Sequence, residues 1–192
     1  MSICFATHNQ NKVQELRKLV GDNLKILSLN DLGVSDEIEE TGITLKENAL
    51  LKAQYIYDNF EIACFADDTG LEVDTLDGAP GVYSARFAGE PANNEKNIDK
   101  LLALLQNKSN RKARFRTVIA LVKDVKTIFF EGIVEGEIID ERRGSKGFGY
   151  DSVFLPTNFD RTFAEMDMRE KNLISHRAIA VNKLTNFLKQ NT

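Results

Sequence analysis

Two runs rich in β-branched and aromatic residues, residues 114–122 and 126–134, are separated only by a short turn at a Lys-Asp pair. This pattern predicts a β-hairpin. Strands joined by so short a turn run antiparallel, because parallel neighbours need a long crossover connection. The hairpin therefore excludes a wholly parallel sheet.

Strands and helices alternate in the first third of the chain. Residues 3–6 predict a short buried strand, THNQN a loop, and residues 12–20 an amphipathic helix. A second helix is predicted after Thr44, because TLKE has the pattern of a capping box that is closed by Glu47.

The next apolar run, residues 62–66, predicts a buried strand that ends at Asp67 and Asp68. Two further helices are predicted, over residues 94–105 and 175–188. With no internal repeat or linker, the pattern predicts an α/β fold with a mixed sheet and flanking helices, in a single domain over residues 1–192.

Charge and composition limit the function classes. The formal net charge of −4 argues against a protein that grips a nucleic-acid polymer. Both cysteines, Cys4 and Cys64, lie in apolar runs and are typical of buried residues in a reducing compartment. Neither a signal peptide nor a run of about 18 apolar residues is readable, so we expect a cytoplasmic protein without a membrane partner.

The loop THNQNK lies between a strand and a helix, where free backbone N–H groups favour an anion and Lys12 adds positive charge. An ordinary strand-to-helix turn would have the same sequence features. Asp67 and Asp68 must point to opposite faces if both continue the strand, so only one of them can face a given site. A solvated turn is the alternative for this pair.

The acidic stretch DEIEE offers Glu39 or Glu40 as a partner of an aspartate in holding a hard cation, and a solvated surface is the alternative. In GSKGFGYD, the rings of Phe148 and Tyr150 suit stacking on a flat ligand, and core packing is equally compatible.

The sequence SHR opens the last predicted helix with Ser175 as N-cap. His176 and Arg177 then bring positive charge to the positive end of the helix dipole. Either an anionic or carbonyl-bearing ligand or an acidic neighbour, Glu165 or Glu170, would compensate.

Five blocks in order, THNQNK, EETGITLKENALLKA, ADDTGL with GAPGVYSARFAG, GFGYD and EKNLISHR, resemble the inosine triphosphate pyrophosphatase family. The resemblance covers nearly the whole chain. It implies two lobes around a central substrate cleft, a homodimer, Mg²⁺ as cofactor, and hydrolysis of XTP, ITP or dITP to the monophosphate and pyrophosphate.

The resemblance also implies residue roles. It makes Asp68 the catalytic base, and it makes Asp68 and Glu39 the metal ligands. The implied substrate-binding residues are Thr7, His8, Asn9, Gln10, Asn11, Lys12, Lys52, Thr69, Phe148, Gly149, Tyr150, Asp151, Lys171, His176 and Arg177.

Departures from the family pattern are Ser152, Leu45 and the ERRGSK segment, and none of them removes a charged or binding group. Selection of the base is expected to depend on fixed donors that face a 6-keto oxygen and that ATP would leave unpaired. Two alternatives stay open: an enzyme with another base preference, including one acting on modified pyrimidines, and a nucleotide sensor without turnover.

Overall fold

The computed structural model describes residues 2–20, 25–35 and 38–190. In this part of the chain six strands form one sheet in the order β2-β1-β3-β4-β5-β6. The strands are β1 (Ser2–Phe5), β2 (Lys25–Ser28), β3 (Cys64–Val73), β4 (Lys112–Lys123), β5 (Lys126–Ile138) and β6 (Phe154–Pro156). The helices are α1 (Gln10–Val20), α2 (Leu45–Phe60), α3 (Asn94–Leu104), α4 (Met168–Ile174) and α5 (His176–Gln190).

The sheet is mixed, as predicted. β1 pairs in parallel with β2 and with β3, whereas β5 and β6 are antiparallel. β4 and β5 are neighbours in the sheet and are joined by the two-residue turn Asp124–Val125. The predicted α/β class with flanking helices is therefore confirmed.

The chain divides into two compact units. The first comprises Met1–Asp68, Val118–Glu131 and Ala180–Thr192, and the second comprises Thr69–Thr117 and Gly132–Ile179. The single domain over residues 1–192 stays a prediction.

The core of the first unit shows the alternation of its strands. Ile3, Phe5 and Phe65 belong to one apolar cluster, together with residues of α1 and α5. Their neighbours in sequence, among them Cys4, Cys64 and Ala66, belong to a second cluster with the small residues of α2. Successive strand residues thus face opposite sides of the sheet, and one side carries α1 and the other α2.

The second unit has its own core, in which rings contact one another. The ring centroid of Phe115 lies 4.7 Å from that of Phe154 and 5.9 Å from that of Phe163. Apolar side chains of α3 complete this core, including Ile98, Leu101 and, just after the helix, Leu105.

Helix α2 follows the predicted local rules. Thr44 accepts a hydrogen bond from the N–H of Glu47 at 3.1 Å, and the Glu47 carboxylate accepts from the N–H of Thr44 at 3.0 Å. The predicted capping box is therefore confirmed. The predicted N-cap Ser175 of α5 is also confirmed, because its Oγ accepts from the N–H of Ala178 at 3.2 Å.

Several predicted boundaries were wrong. Helix α1 begins at Gln10, not at residue 12, because the Asn9 side chain caps it by accepting from the N–H of Lys12 at 3.2 Å. β3 does not end at Asp67 and Asp68 but continues to Val73. The hairpin turn is Asp124–Val125, both with positive φ, and not Lys-Asp. Strands β2 and β6 and helix α4 were not predicted.

No helix in the described ranges combines the length and the apolar character that a transmembrane segment needs.

Candidate functional site

In the first unit, lysines and carboxylates gather around β3. We call Lys12, Glu40, Asn48, Lys52, Asp67 and Asp68 the lysine–carboxylate cluster. Lys12 Nζ donates to both carboxylate oxygens of Asp67, at 2.9 and 3.1 Å. Asp67 is buried, with 3% of its surface exposed.

The two neighbouring aspartates face different helices. Asp67 lies on the same side of β3 as Phe65, whose cluster includes α1, and it meets Lys12 of α1. Asp68 lies on the side of Cys64 and Ala66, and its Oδ2 accepts from Asn48 Nδ2 of α2 at 3.2 Å. The predicted separation of the pair by strand alternation is confirmed, although both residues lie within the strand and not at its end.

Lys52 lies among three acids. Its Nζ donates to the Glu40 carboxylate and to the main-chain oxygen of Asp67, the latter at 2.9 Å. Burial by itself lowers the pKa of Lys52, but the negative charges of Asp68, Asp67 and Glu40 outweigh it and hold the pKa above its usual value. The ammonium group is therefore charged at neutral pH and suits an incoming anion.

The loop before α1 supplies further polar groups. The N–H of Asn9 donates to Thr7 Oγ1 at 3.2 Å, and His8 is half-buried. Gln10 is exposed in the first turn of α1, and Asn11 follows it, with a side chain outside the described positions. The predicted binding loop thus runs directly into the capped helix.

Glu39 is exposed, and its neighbour Glu40 holds the contact with Lys52. No group of three or more His, Cys, Asp or Glu side chains in the described ranges is arranged to hold a metal ion. Mg²⁺ does not require such a group, because one or two carboxylates with water and phosphate oxygens suffice. Asp68 and Glu39 offer hard oxygen donors of this kind.

In the second unit, two aromatic rings lie beside a part-buried ion pair. We call Phe115, Phe148, Asp151, Phe163, Lys171 and His176 the aromatic cluster. Lys171 Nζ contacts the carboxylate of Asp151 at 2.6 Å and lies 5.3 Å from the ring centroid of Phe148. The His176 ring stacks on Phe115, with centroids 4.7 Å apart and planes 15° apart.

Phe148 and Tyr150 differ in burial, which decides between ligand stacking and core packing for each ring. Phe148 is 57% exposed, so part of its ring is accessible to solvent. Tyr150 is a core residue: it is buried, its hydroxyl donates to the main-chain oxygen of Ser84 at 2.8 Å, and burial raises its pKa. Only Phe148 is thus available for stacking on a flat ligand.

Asp151 holds the glycine-rich loop in place. Its carboxylate accepts from the N–H of Phe148 at 2.9 Å as well as from Lys171. Gly147 has a φ of +77°, and a Cβ there would collide with that carboxylate. Gly149 begins the short helical turn that carries Tyr150 and Asp151.

The remaining predicted residues also lie in the second unit. Thr69 Oγ1 lies 2.7 Å from Thr117 Oγ1, which is fully buried. Arg177 is half-buried in the first turn of α5. Glu165 and Glu170, the acidic neighbours considered for His176 and Arg177, bind Arg143 and Arg161.

Residues 3–187 match the model of the Ham1 family. The chain belongs to the Ham1 family. A relative named dITP/XTP pyrophosphatase, from Christiangramia forsetii, is 53% identical over 188 residues, covering 98% of this chain and 99% of the relative. A protein of the same name from Porphyromonas gingivalis is 51% identical, covering 97% and 96% of the two chains.

Solved Ham1 structures share the fold. The Staphylococcus aureus Ham1 protein superposes with a TM-score of 0.94 at 39% identity and full coverage of both chains. The nucleoside-triphosphatase, or dITP/XTP pyrophosphatase, from Mycobacterium abscessus gives a TM-score of 0.82 at 37% identity, covering 96% and 98%. The predicted family is therefore confirmed.

Four residues of this Ham1 chain contact the predicted site residues but were not among them. Glu40 and Asp67 were considered only as alternatives to Glu39 and Asp68, and Asn48 and Thr117 were not considered. Asn48 has a readable signal, since it is a polar residue on the same helix face as Leu45 and Ala49. Thr117 has no such signal, because its contact with Thr69 depends on the sheet.

Proposed function

We propose that this protein hydrolyses non-canonical purine nucleoside triphosphates, XTP, ITP and dITP, to the nucleoside monophosphate and pyrophosphate, and so removes deaminated purines from the nucleotide pool. The chain is an enzyme of the nucleoside triphosphate pyrophosphohydrolase class, a hydrolase acting on acid anhydrides. The lysine–carboxylate cluster carries the proposal, because it combines phosphate-binding ammonium groups with carboxylates in one unit.

Lys12 and Lys52 are proposed to bind the triphosphate, with the loop of Thr7, His8, Asn9, Gln10 and Asn11. Both ammonium groups are already held by carboxylates, so they are ordered before substrate arrives. The start of α1 adds backbone N–H groups, which favour an anion. These groups would neutralise a triphosphate in a protein whose formal net charge is −4.

Asp68 is proposed to accept the proton of the water that attacks the α-phosphorus. A carboxylate in this role needs a fixed orientation, which the hydrogen bond from Asn48 supports. Asp68 and Glu39 would hold Mg²⁺, whose chemistry when bound is to neutralise negative charge on the phosphate oxygens. The attacking oxygen gains the phosphorus bond as the bond to the pyrophosphate oxygen breaks.

The base is proposed to stack on Phe148 and to lie near Gly149, Tyr150, Asp151, Lys171, His176 and Arg177, with Thr69 as a further substrate contact. Arg177 is a permanent donor that suits a 6-keto oxygen. Adenine presents an amino donor at that position, so donors fixed in the protein would stay unpaired with ATP. Buried unpaired donors are costly, which supports selection against ATP.

The test is product identity and initial rate with ITP, XTP, dITP, GTP and ATP, with and without Mg²⁺. Pyrophosphate and monophosphate should form from ITP, XTP and dITP, and only when Mg²⁺ is present. Orthophosphate as the only phosphate product would contradict the reaction, and equal rates on ITP and ATP would contradict the selectivity. Tight ITP binding without product would establish a sensor.

We propose that the protein acts as a homodimer in the cytoplasm, and the resemblance to the family supports this. Light scattering coupled to gel filtration should give twice the monomer mass of 21.6 kDa.

A further inference from the structure

The amide of Asn48 in α2 is fully buried and links Asp68 to residues 38–42, which we call the acidic loop because they include Glu39 and Glu40. The side chain lies on the apolar face of the helix, beside Ala49, and has no exposed surface. A buried amide is costly unless both of its ends are hydrogen-bonded. Here one end meets the backbone of Gly42 and the other meets Asp68.

The orientation of this amide follows from its partners. The atom near the N–H of Gly42 must be an acceptor, so it is the oxygen Oδ1, 2.8 Å away. The other end is then the NH₂ group, and it donates to Oδ2 of Asp68 at 3.2 Å. A carboxylate is an acceptor, so both contacts are satisfied only in this orientation.

Gly42 makes the link possible by its small size. A Cβ at this position would collide with Oδ1 of Asn48 and with Cβ of Glu47. The next two backbone N–H groups, those of Ile43 and Thr44, donate to Glu47 at 2.8 and 3.0 Å. The end of the loop that carries Glu39 and Glu40 is thus fixed to the first turns of α2.

We propose that Asn48 is a positioning residue, which holds the carboxylate of Asp68 in its working orientation and anchors the acidic loop to the same helix. This inference rests on the proposed function. A single side chain would thereby set the position of two segments that supply acids, Asp68 from β3 and Glu39 from the loop. Small displacements of reacting groups lower turnover by up to about 100-fold.

The main test is Asn48→Asp, which keeps the acceptor for Gly42 but puts an oxygen opposite the Asp68 carboxylate. We expect kcat with ITP to fall about 10-fold or more, while KM changes less than about threefold. In a crystal structure of the variant, the carboxylate of Asp68 should be rotated away from residue 48. A folded variant with wild-type kcat and an unmoved Asp68 would overturn the inference.

A reciprocal exchange separates a direct contact from a general loss of stability. Asn48→Asp combined with Asp68→Asn restores a donor opposite an acceptor, although it removes the base. The double variant should therefore regain most of the Tm lost in Asn48→Asp while staying inactive. Losses of Tm that simply add up would show that the two side chains do not interact.

A matched control is Asn97→Asp in the second unit. Asn97 is also a buried amide, bonded to the main chain of Ala85 and Ala88 at 2.9 and 2.7 Å. This variant should lose Tm comparably but keep its kcat. If it loses kcat as strongly as Asn48→Asp, the effect is one of stability and the inference fails.

Asn48→Leu, of similar size, decides the matter if Asn48→Asp does not fold. It removes both links, so kcat should fall at least as far; a folded variant with wild-type kcat would overturn the inference. The wild-type protein is measured first on ITP, XTP and dITP with Mg²⁺. Absence of pyrophosphate there defeats the proposed function, whereas the crystal structure and the Tm exchange still test the contact itself.

Discussion

Asp67 and Asp68 are adjacent in sequence and occupy different physical environments. Asp67 is buried against α1, where it forms an ion pair with Lys12. Asp68 is half-buried on the side of α2 and accepts from Asn48. The side chains of a strand alternate, so the identity of each partner follows from the position of the residue along β3.

Substitution of the two aspartates should have unequal effects. Asp68→Asn removes the proposed base, so turnover should fall by about 100-fold or more while substrate still binds. Asp67→Asn leaves the base but weakens the placement of Lys12, so the loss should be smaller and appear mainly in KM. Steady-state kinetics of both variants with ITP check this, and the reverse order would show that the roles are exchanged.

The two rings of the GFGYD segment should also respond differently. Phe148→Ala removes an exposed ring, so KM for ITP should rise about 10-fold with little change in Tm. Tyr150→Phe removes the hydroxyl that bonds to Ser84, so the free energy of unfolding should fall by about 1 kcal/mol while KM is unchanged. Thermal melts and KM values of the two variants distinguish the roles, and matching profiles would contradict them.

At the scale of elements, features that depend on local sequence were predicted, and features that depend on contacts between distant parts of the chain were missed. Helix α2 was predicted to begin after Thr44, as it does, because its capping box and apolar face are local features. The extension of β3 through Asp67, Asp68 and Thr69 was missed, because these polar residues are stabilised as a strand by pairing with neighbours far along the chain. The contact of Glu40 with Lys52 was missed because it depends on tertiary packing and not on a local pattern, whereas the motif residues could be named from the family resemblance.

The β4–β5 turn is open to stabilisation. Val125 has a φ of +60° and is exposed, although β-branched residues are strained in that region. Val125→Gly should therefore raise the free energy of unfolding by about 1 kcal/mol. Chemical denaturation checks this. Val125→Ala is the control and should gain less, because alanine keeps a Cβ; a loss of stability in the glycine variant would contradict the strain.

At the scale of the whole molecule, acid should weaken the fold through particular carboxylates. The N–H of Thr162, together with Arg143, lowers the pKa of Glu165 below its usual value of 4.5. The folded state therefore binds this proton less readily than the unfolded state does. The stabilisation is complete above the unfolded pKa and is lost as the pH falls through the lower, folded pKa.

Glu165→Gln should accordingly show a smaller loss of stability between pH 6 and about pH 3 than the wild type. Urea denaturation at a series of pH values measures this. Parallel curves for the two proteins would show that Glu165 does not contribute to the acid sensitivity.

The unbroken course of β3 through the aspartate pair restricts how this chain can change length. Successive side chains of a strand point to opposite faces of the sheet. One residue inserted between Cys64 and Asp67 would therefore exchange the partners of the two acids. Asp67 would then face α2 and Asp68 would face α1. We therefore expect insertions and deletions in this segment to involve an even number of residues. A single substitution leaves the direction of the neighbouring side chains unchanged.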